Sequence, residues 1–189
     1  MSDEALKQAA HEGVRNLLRA IGEDPSREGL KDTPSRVLRA FEELTSGGKV
    51  DVGALLKVSF DEGYTEAVAL SDIDFVSTCE HHLLPFVGKA HIVYLPTGRV
   101  VGLSKLARTV EAFARRLQVQ ERMTRQIADA LMEYLKPSGA LVVVEATHSC
   151  MVCRGVRKPN AIMRTAALRG TMQEPAVRAE AYRLIGVGG

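Results

Sequence analysis

The sequence predicts an α+β fold in which N-terminal helices precede an antiparallel sheet. Apolar residues recur every three or four positions near the N-terminus, and segments rich in β-branched and aromatic residues begin near Val58. Two further helical segments separate the first of these strands from the last ones. Runs of helices and runs of strands in this order are typical of α+β domains. The chain has 189 residues, 46% of them hydrophobic, which is sufficient for a substantial core.

Two helices are predicted in the N-terminal region. The first covers about residues 2–21, with one apolar stripe formed by Leu6, Ala10, Val14, Leu17 and Ile21. The segment "GEDPSREGLKDTPSR" is rich in Gly, Pro and Asp and indicates a loop. A second helix should then run to about Thr45, with Thr33 as N-cap and Pro34 at the first helical position.

The rest of the chain alternates between strand and helix patterns. Strands are predicted at "EAVALSDIDFVST", "FVGKAHIVYLP", "ALVVVEATHSC" and "NAIMRTAALRG", and helices at "SKLARTVEAFARRLQ", "VQERMTRQIADALMEYL" and residues 174–185. The final "GVGG" is expected to fray. His91 lies in the second strand and is expected to be an ordinary strand residue.

Composition limits the classes of function. The net charge of +2 is smaller than nucleic-acid-binding proteins usually carry. The N-terminal "MSDEALKQAAHEGV" has no apolar core, and no apolar run approaches the length that spans a bilayer. We therefore expect a cytoplasmic protein without nucleic-acid or membrane partners, whose three cysteines are metal ligands or buried thiols.

Two short segments concentrate the residues that bind metals. "STCEHHLLPF" contains Cys79 and His82, and "THSCMVCRG" contains Cys150 and Cys153. The spacings suit a structural zinc site with all four as ligands, or a catalytic site with three ligands and an open position. Buried thiols and ordinary histidines are the third interpretation, and spacing alone leaves all three open.

Additional histidines and basic residues favour a catalytic site. His81 and His148 lie beside the potential ligands, are not needed for a structural site, and titrate in the range useful for proton transfer. Basic side chains that could hold a polyanion lie at the start of the third predicted helix, Lys105 and Arg108, and after the second cluster, Arg154, Arg157 and Lys158. No GxxxxGK[ST] loop is present, so side chains would have to bind any phosphate chain.

Several long motifs together resemble the GTP cyclohydrolase I family. They are "IGEDPSREGLKDTPSRVLRAFEELTSG", "STCEHHLLPFVGKAHIVYLP", "GLSKLART", "RLQVQERMTRQIADAL" and "EATHSCMVCRGVRKPNAIMRT". They occur in the family's order, and the resemblance covers about residues 15–185.

The resemblance implies both a fold and a reaction. The fold is the tunnelling fold, an antiparallel four-stranded sheet with helices packed on one face, preceded by N-terminal helices. Residues 1–55 would be the N-terminal helical region and 56–189 the catalytic domain. The reaction converts GTP and water to 7,8-dihydroneopterin triphosphate and formate, the first step of tetrahydrofolate or other pterin biosynthesis. The family assembles as a homodecamer with active sites at subunit interfaces.

The resemblance also implies roles for individual residues. Zinc (Zn2+) would be held by Cys79, His82 and Cys150. Catalytic roles would fall to His81, His148 and Ser104. The substrate would be bound by Gln120, Glu121, Lys105, Arg108, Arg154 and, from a neighbouring subunit, Arg36.

Within this set, Glu121 would bind the guanine edge, the basic residues would hold the triphosphate, and His148 would protonate N7. Glu80 is expected to be structural. The family pattern does not require Cys153, so the four-ligand site is not expected. The alternatives are another tunnelling-fold enzyme of purine or pterin chemistry, such as a nitrile reductase, and a non-catalytic zinc-stabilised module.

Overall fold

A computed structural model describes residues 2–186, and the chain divides into two units between Thr45 and Ser46. The first unit contains helices α1 (Asp3–Ala20) and α2 (Thr33–Leu44), which pack against each other. The N-cap of α2 is Asp32, one residue earlier than expected, and Pro34 lies in the first turn. The division of the chain at residues 55 and 56 stays a prediction.

The second unit contains all the strands found among residues 2–186. In chain order its elements are α3 (Val52–Lys57), β1 (Ser59–Tyr64), β2 (Val68–Cys79), β3 (Pro85–Leu95), β4 (Gly98–Val101), α4 (Leu103–Ala114), β5 (Leu117–Gln118), α5 (Gln120–Ala130), β6 (Gly139–His148), α6 (Ser149–Val152), β7 (Met163–Gly170) and α7 (Pro175–Ile185). A π-helical turn, Leu131–Leu135, extends α5. Short 3-10 turns cover Ser46–Lys49 and Thr171–Gln173.

The main sheet has five strands in the order β5-β2-β3-β6-β7. The four long strands are antiparallel, as expected, and correspond to the four predicted strands. The fifth, β5, has two residues and pairs in parallel with the end of β2, so the expected four-stranded description is incomplete. Strands β1 and β4 form a separate antiparallel pair.

Helices cover both faces of this sheet, whereas the sequence led us to expect one covered face. Helices α4 and α5 pack on one face, against side chains that include Phe86, Ile92 and Val144. Helix α7 packs on the other face, where Ala181 and Ile185 join a second cluster of apolar residues. The run Leu141–Val144 in β6 is apolar at every position, and strand side chains alternate between faces. Apolar surface therefore requires cover on both sides.

Two predicted elements end earlier than expected near the candidate site. Helix α4 ends at Ala114, because Leu117 and Gln118 leave the helix to pair with β2. Strand β6 ends at His148, and Ser149–Val152 form one helical turn. The predicted fraying of "GVGG" concerns residues 187–189, which lie outside the described residues. Between residues 2 and 186, no helix has both the length and the apolarity needed to cross a membrane.

Gly88 permits the close approach of β3 and β6. A Cβ atom there would lie 1.9 Å from the Glu145 carbonyl oxygen and 2.7 Å from the Ala146 Cα. We expect Gly88→Ala to lower the free energy of unfolding by about 3 kcal/mol or more, because backbone atoms must move. Urea unfolding measures the loss. Gly48→Ala is the control, since its Cβ would meet nothing within 4 Å; equal stability of the two variants would contradict the close packing.

Candidate metal centre and active site

The first cluster lies in the tight turn that joins β2 to β3. The Cys79 N–H donates to the Leu84 carbonyl at 2.9 Å, and the Leu83 N–H donates to the Cys79 carbonyl at 2.9 Å. Leu83 adopts a left-handed conformation with φ of 56°, which is uncommon outside glycine. The Glu80 N–H donates to the Gln118 carbonyl at 3.0 Å, so β5 also fixes the turn.

Sheet topology brings the second cluster to the same edge. Strands β2 and β6 are both antiparallel to β3, so they run in the same direction and their C-terminal ends lie together. In this register Phe86 of β3 pairs with Ser77 on one side and with His148 on the other. Cys150 follows His148 in the single turn of α6. Ligands from distant parts of the sequence thus meet beyond the ends of two strands.

Cys79, His82 and Cys150 form a group that could hold a metal ion. One ligand atom from each lies within 4.8 Å of the other two, and the His82 Nδ1 is 3.8 Å from the Cys79 Sγ. Burial raises the pKa of the Cys150 thiol, and the neighbouring Cys79 raises it further, while Arg154 opposes the shift. The Cys153 Sγ donates instead to the Ser149 carbonyl at 2.9 Å and is exposed. Cys153 is therefore not part of this group.

His148 lies beside the metal group in a fixed orientation. Its ring stacks on the Phe86 ring, with centroids 4.6 Å apart and planes within 4°. Its Nε2 is 2.8 Å from the Oε1 of Gln120, the first residue of α5. Burial lowers the pKa of His148, and the negative charge of Glu121 acts against that shift. The structure thus brings His148, Gln120 and Glu121 together.

Gln120 is buried, with 1% of its surface exposed. Its Nε2 lies within hydrogen-bonding distance of the Val144 carbonyl (3.0 Å), the Met163 carbonyl (3.1 Å) and the Thr165 hydroxyl (3.1 Å). Glu121, the next residue, is exposed and lines a cavity of about 430 Å³ together with Thr165 and Arg169. The predicted substrate contacts of Gln120 and Glu121 stay predictions.

An ion pair that sequence reasoning missed joins the metal-binding turn to α5. Arg122 donates to both oxygens of Glu80, at 2.5 and 2.9 Å, and this contact holds the pKa of Glu80 below its usual value. The His81 Nε2 lies 3.9 Å from the Glu80 Oε1. No spacing pattern relates residues 80 and 122, so the sequence contained no signal for this pair.

The predicted triphosphate-binding residues are less closely associated with the metal group than His148 is. Arg154 is near enough to Cys150 to influence its pKa. Ser104, Lys105 and Arg108 lie on the first turns of α4, and no hydrogen bond or ion pair among residues 2–186 joins their side chains to the metal group. Arg36 belongs to the first unit, where it forms an ion pair with Asp32 at 3.6 Å.

Comparison with known proteins gives one consistent result. The model of the GTP cyclohydrolase I family matches residues 10–186. The chain is 54% identical to the GTP cyclohydrolase 1 of Streptomyces griseus over 97% of its length and 90% of that protein. It is 56% identical to the GTP cyclohydrolase 1 of Synechococcus sp. strain JA-3-3Ab over 96% of its length and 80% of that protein. It is 54% identical to the GTP cyclohydrolase 1 of Dehalococcoides mccartyi BAV1 over 95% of its length and 96% of that protein.

The family match spans both clusters, and the fold brings them together in one group that could hold a metal ion, with the hydrogen-bonded pair His148 and Gln120 beside it. On this evidence the chain belongs to the GTP cyclohydrolase I family of enzymes.

Proposed function

We propose that this chain converts GTP and water to 7,8-dihydroneopterin triphosphate and formate in the cytoplasm, at the start of pterin synthesis. Family membership supports the reaction. The structural observation that carries the proposal is the Cys79, His82 and Cys150 group with His148 beside it. A purely structural metal site has no need of an oriented histidine next to its ligands.

The proposed cofactor is zinc. Two thiols and one imidazole form a donor set that zinc binds well, and three protein ligands leave a fourth position for a reactant. Zinc held there supplies Lewis acidity that makes water nucleophilic near neutral pH. The pKa of Cys150 is raised without metal, so metal binding must displace a proton from that thiol.

The residues around the metal group would handle protons and bind the substrate. Water adds at C8 of guanine while N7 receives a proton, and cleavage of the C8–N9 bond then opens the imidazole ring. A second water hydrolyses the resulting N-formyl group and releases formate. Closure of the pterin ring later expels one water, so the net reaction consumes one. His148 and His81 exchange protons with the reacting atoms, and Ser104 assists the later rearrangement of the ribose. Both N1–H and the exocyclic amine of guanine donate hydrogen bonds, and the Glu121 carboxylate offers two acceptors.

The proposed assembly is a homodecamer of tunnelling-fold subunits, with each site completed by a neighbouring copy. The cavity beside Glu121 borders β7, which is the edge strand of the sheet. An edge strand leaves backbone groups available for pairing with another chain. Lys105, Arg108 and Arg154 would hold the triphosphate, and a neighbouring Arg36 would join them.

Incubation with GTP tests the reaction directly. The purified zinc-loaded protein should release formate and yield a fluorescent pterin after oxidation. Absence of both products, from protein that contains zinc, would exclude the proposed reaction.

The metal ligands can be distinguished from the remaining cysteine. We expect Cys79→Ala, His82→Ala and Cys150→Ala each to lose zinc and activity, because three ligands are the minimum for tight binding in such a site. Cys153→Ser should keep both and is the matched control, since Cys153 lies one helical turn from Cys150. Metal analysis of the four proteins decides the ligand set. Loss of zinc from Cys153→Ser would indicate a four-ligand site.

Neutralising Lys105, Arg108 or Arg154 singly should raise the KM for GTP. Each charge-assisted contact contributes about 1.5–3 kcal/mol, which corresponds to a roughly ten- to hundredfold change. Steady-state kinetics of the methionine variants measure the change. Arg183→Met is a control, because Arg183 is exposed on α7, which packs on the opposite face of the sheet from α4. An unchanged KM in all three variants would place the triphosphate elsewhere.

Glu121 should determine the choice of base. Adenine presents an acceptor at N1, which would face a carboxylate oxygen without a hydrogen between them. A site built for specific polar groups can reject the wrong analogue by roughly 10⁴–10⁵. We expect Glu121→Gln to lose most activity on GTP while keeping zinc, and Glu121→Ala to lose more. If Glu121→Ala still binds GTP tightly and rejects ATP, another residue recognises guanine.

A further inference from the structure

The orientation of the Gln120 amide is determined by its surroundings. The Val144 and Met163 carbonyl oxygens can only accept hydrogen bonds, and both lie within 3.1 Å of one end of the amide. That end must therefore be the NH₂ group. The other end of the Gln120 amide is therefore the oxygen Oε1, which lies 2.8 Å from the Nε2 of His148. An amide oxygen can only accept, so Nε2 of His148 must carry a hydrogen.

The hydrogen bonds of two threonines independently support the same orientation of the Gln120 amide. The Thr124 hydroxyl donates to the backbone carbonyl of Gln120 at 2.8 Å. The Thr124 oxygen is therefore available to accept from the Thr165 hydroxyl at 2.6 Å. Thr165 uses its hydrogen in that contact, and its oxygen then accepts from the Gln120 Nε2 at 3.1 Å. This chain of donors and acceptors closes without conflict only when the NH₂ group faces Thr165. The reversed amide would place its oxygen against two carbonyl oxygens.

We infer that Gln120 is a positioning residue that fixes the hydrogen of His148 on Nε2 and leaves Nδ1 as the nitrogen that exchanges protons with the substrate. This inference rests on the proposed function, since it concerns protons moved in that reaction. Every proton that His148 takes or gives passes through Nδ1, while the hydrogen on Nε2 stays in its hydrogen bond to the Gln120 Oε1. Stacking on Phe86 holds the plane of the ring, so the direction of Nδ1 is also fixed.

This role differs from the substrate contact that the sequence suggested for Gln120. The side chain is 1% exposed, and its NH₂ group has three acceptors for two hydrogens. A residue that binds guanine should affect KM when it is replaced. Replacing a residue that orients His148 should lower kcat. The substrate still binds, but the hydrogen of the imidazole beside it is no longer held on Nε2, so proton transfer is slower.

Gln120→Met tests the role, with Gln126→Met as a control on the same helix. The Gln126 Oε1 accepts a hydrogen bond from the Gln118 amide at 2.9 Å, and not from His148. In the zinc-loaded proteins, Gln120→Met should lower kcat by about tenfold to a hundredfold and leave KM for GTP unchanged. Gln126→Met should alter neither. A raised KM with kcat retained would overturn the inference and return Gln120 to the guanine site.

A spectroscopic measurement tests the tautomer without turnover. Solid-state NMR of zinc-loaded protein labelled with 15N-histidine should show a protonated Nε2 for His148, identified by the loss of its signals in His148→Ala. In Gln120→Met both tautomers should appear, and Gln126→Met should match wild type. An unprotonated Nε2 in wild type would overturn the inference, even if Gln120→Met does not fold. If wild type forms no pterin, the proposed function fails while this spectrum still judges the tautomer.

Discussion

The pairing of β3 with two flanking strands is the constraint on which the site depends. Because β2 and β6 are both antiparallel to β3, their C-terminal ends lie at the same edge of the sheet. A one-residue slip of either pair would turn Phe86 or His148 to the opposite face. The metal group, the stacked histidine and the close contact at Gly88 all require this register.

The second requirement is a buried polar network around Gln120, which includes His148. Gln120 connects α5 to β6 and β7. It also bonds to His148, which precedes Cys150 by two residues. A buried amide left without partners costs about 1–3 kcal/mol, so a partly satisfied network would destabilise this region. Here the side chain has partners at both ends. The same contacts that satisfy the amide therefore orient the histidine.

Sequence reasoning predicted the local features and missed those that depend on register. The four long strands, most of the helices and the grouping of Cys79, His82 and Cys150 could be predicted from periodicity and spacing together with the family motifs. Strand β5 was missed because two residues are too few to show a period. The position of α7 was missed because an apolar run such as Leu141–Val144 does not reveal what covers each face. The contacts of Arg122 with Glu80 and of Gln120 with His148 require a tertiary arrangement that no spacing encodes.

The distance in sequence between the two cysteine ligands has a consequence for the order of folding. Cys79 and His82 share one turn, but Cys150 reaches them only after β3 has paired with β6. Pairing between distant segments is slow, because the chain loses loop entropy before it gains contacts. The complete group therefore requires the pairing of β3 with β6, and a metal ion held by all three residues would bind to central strands that are already paired.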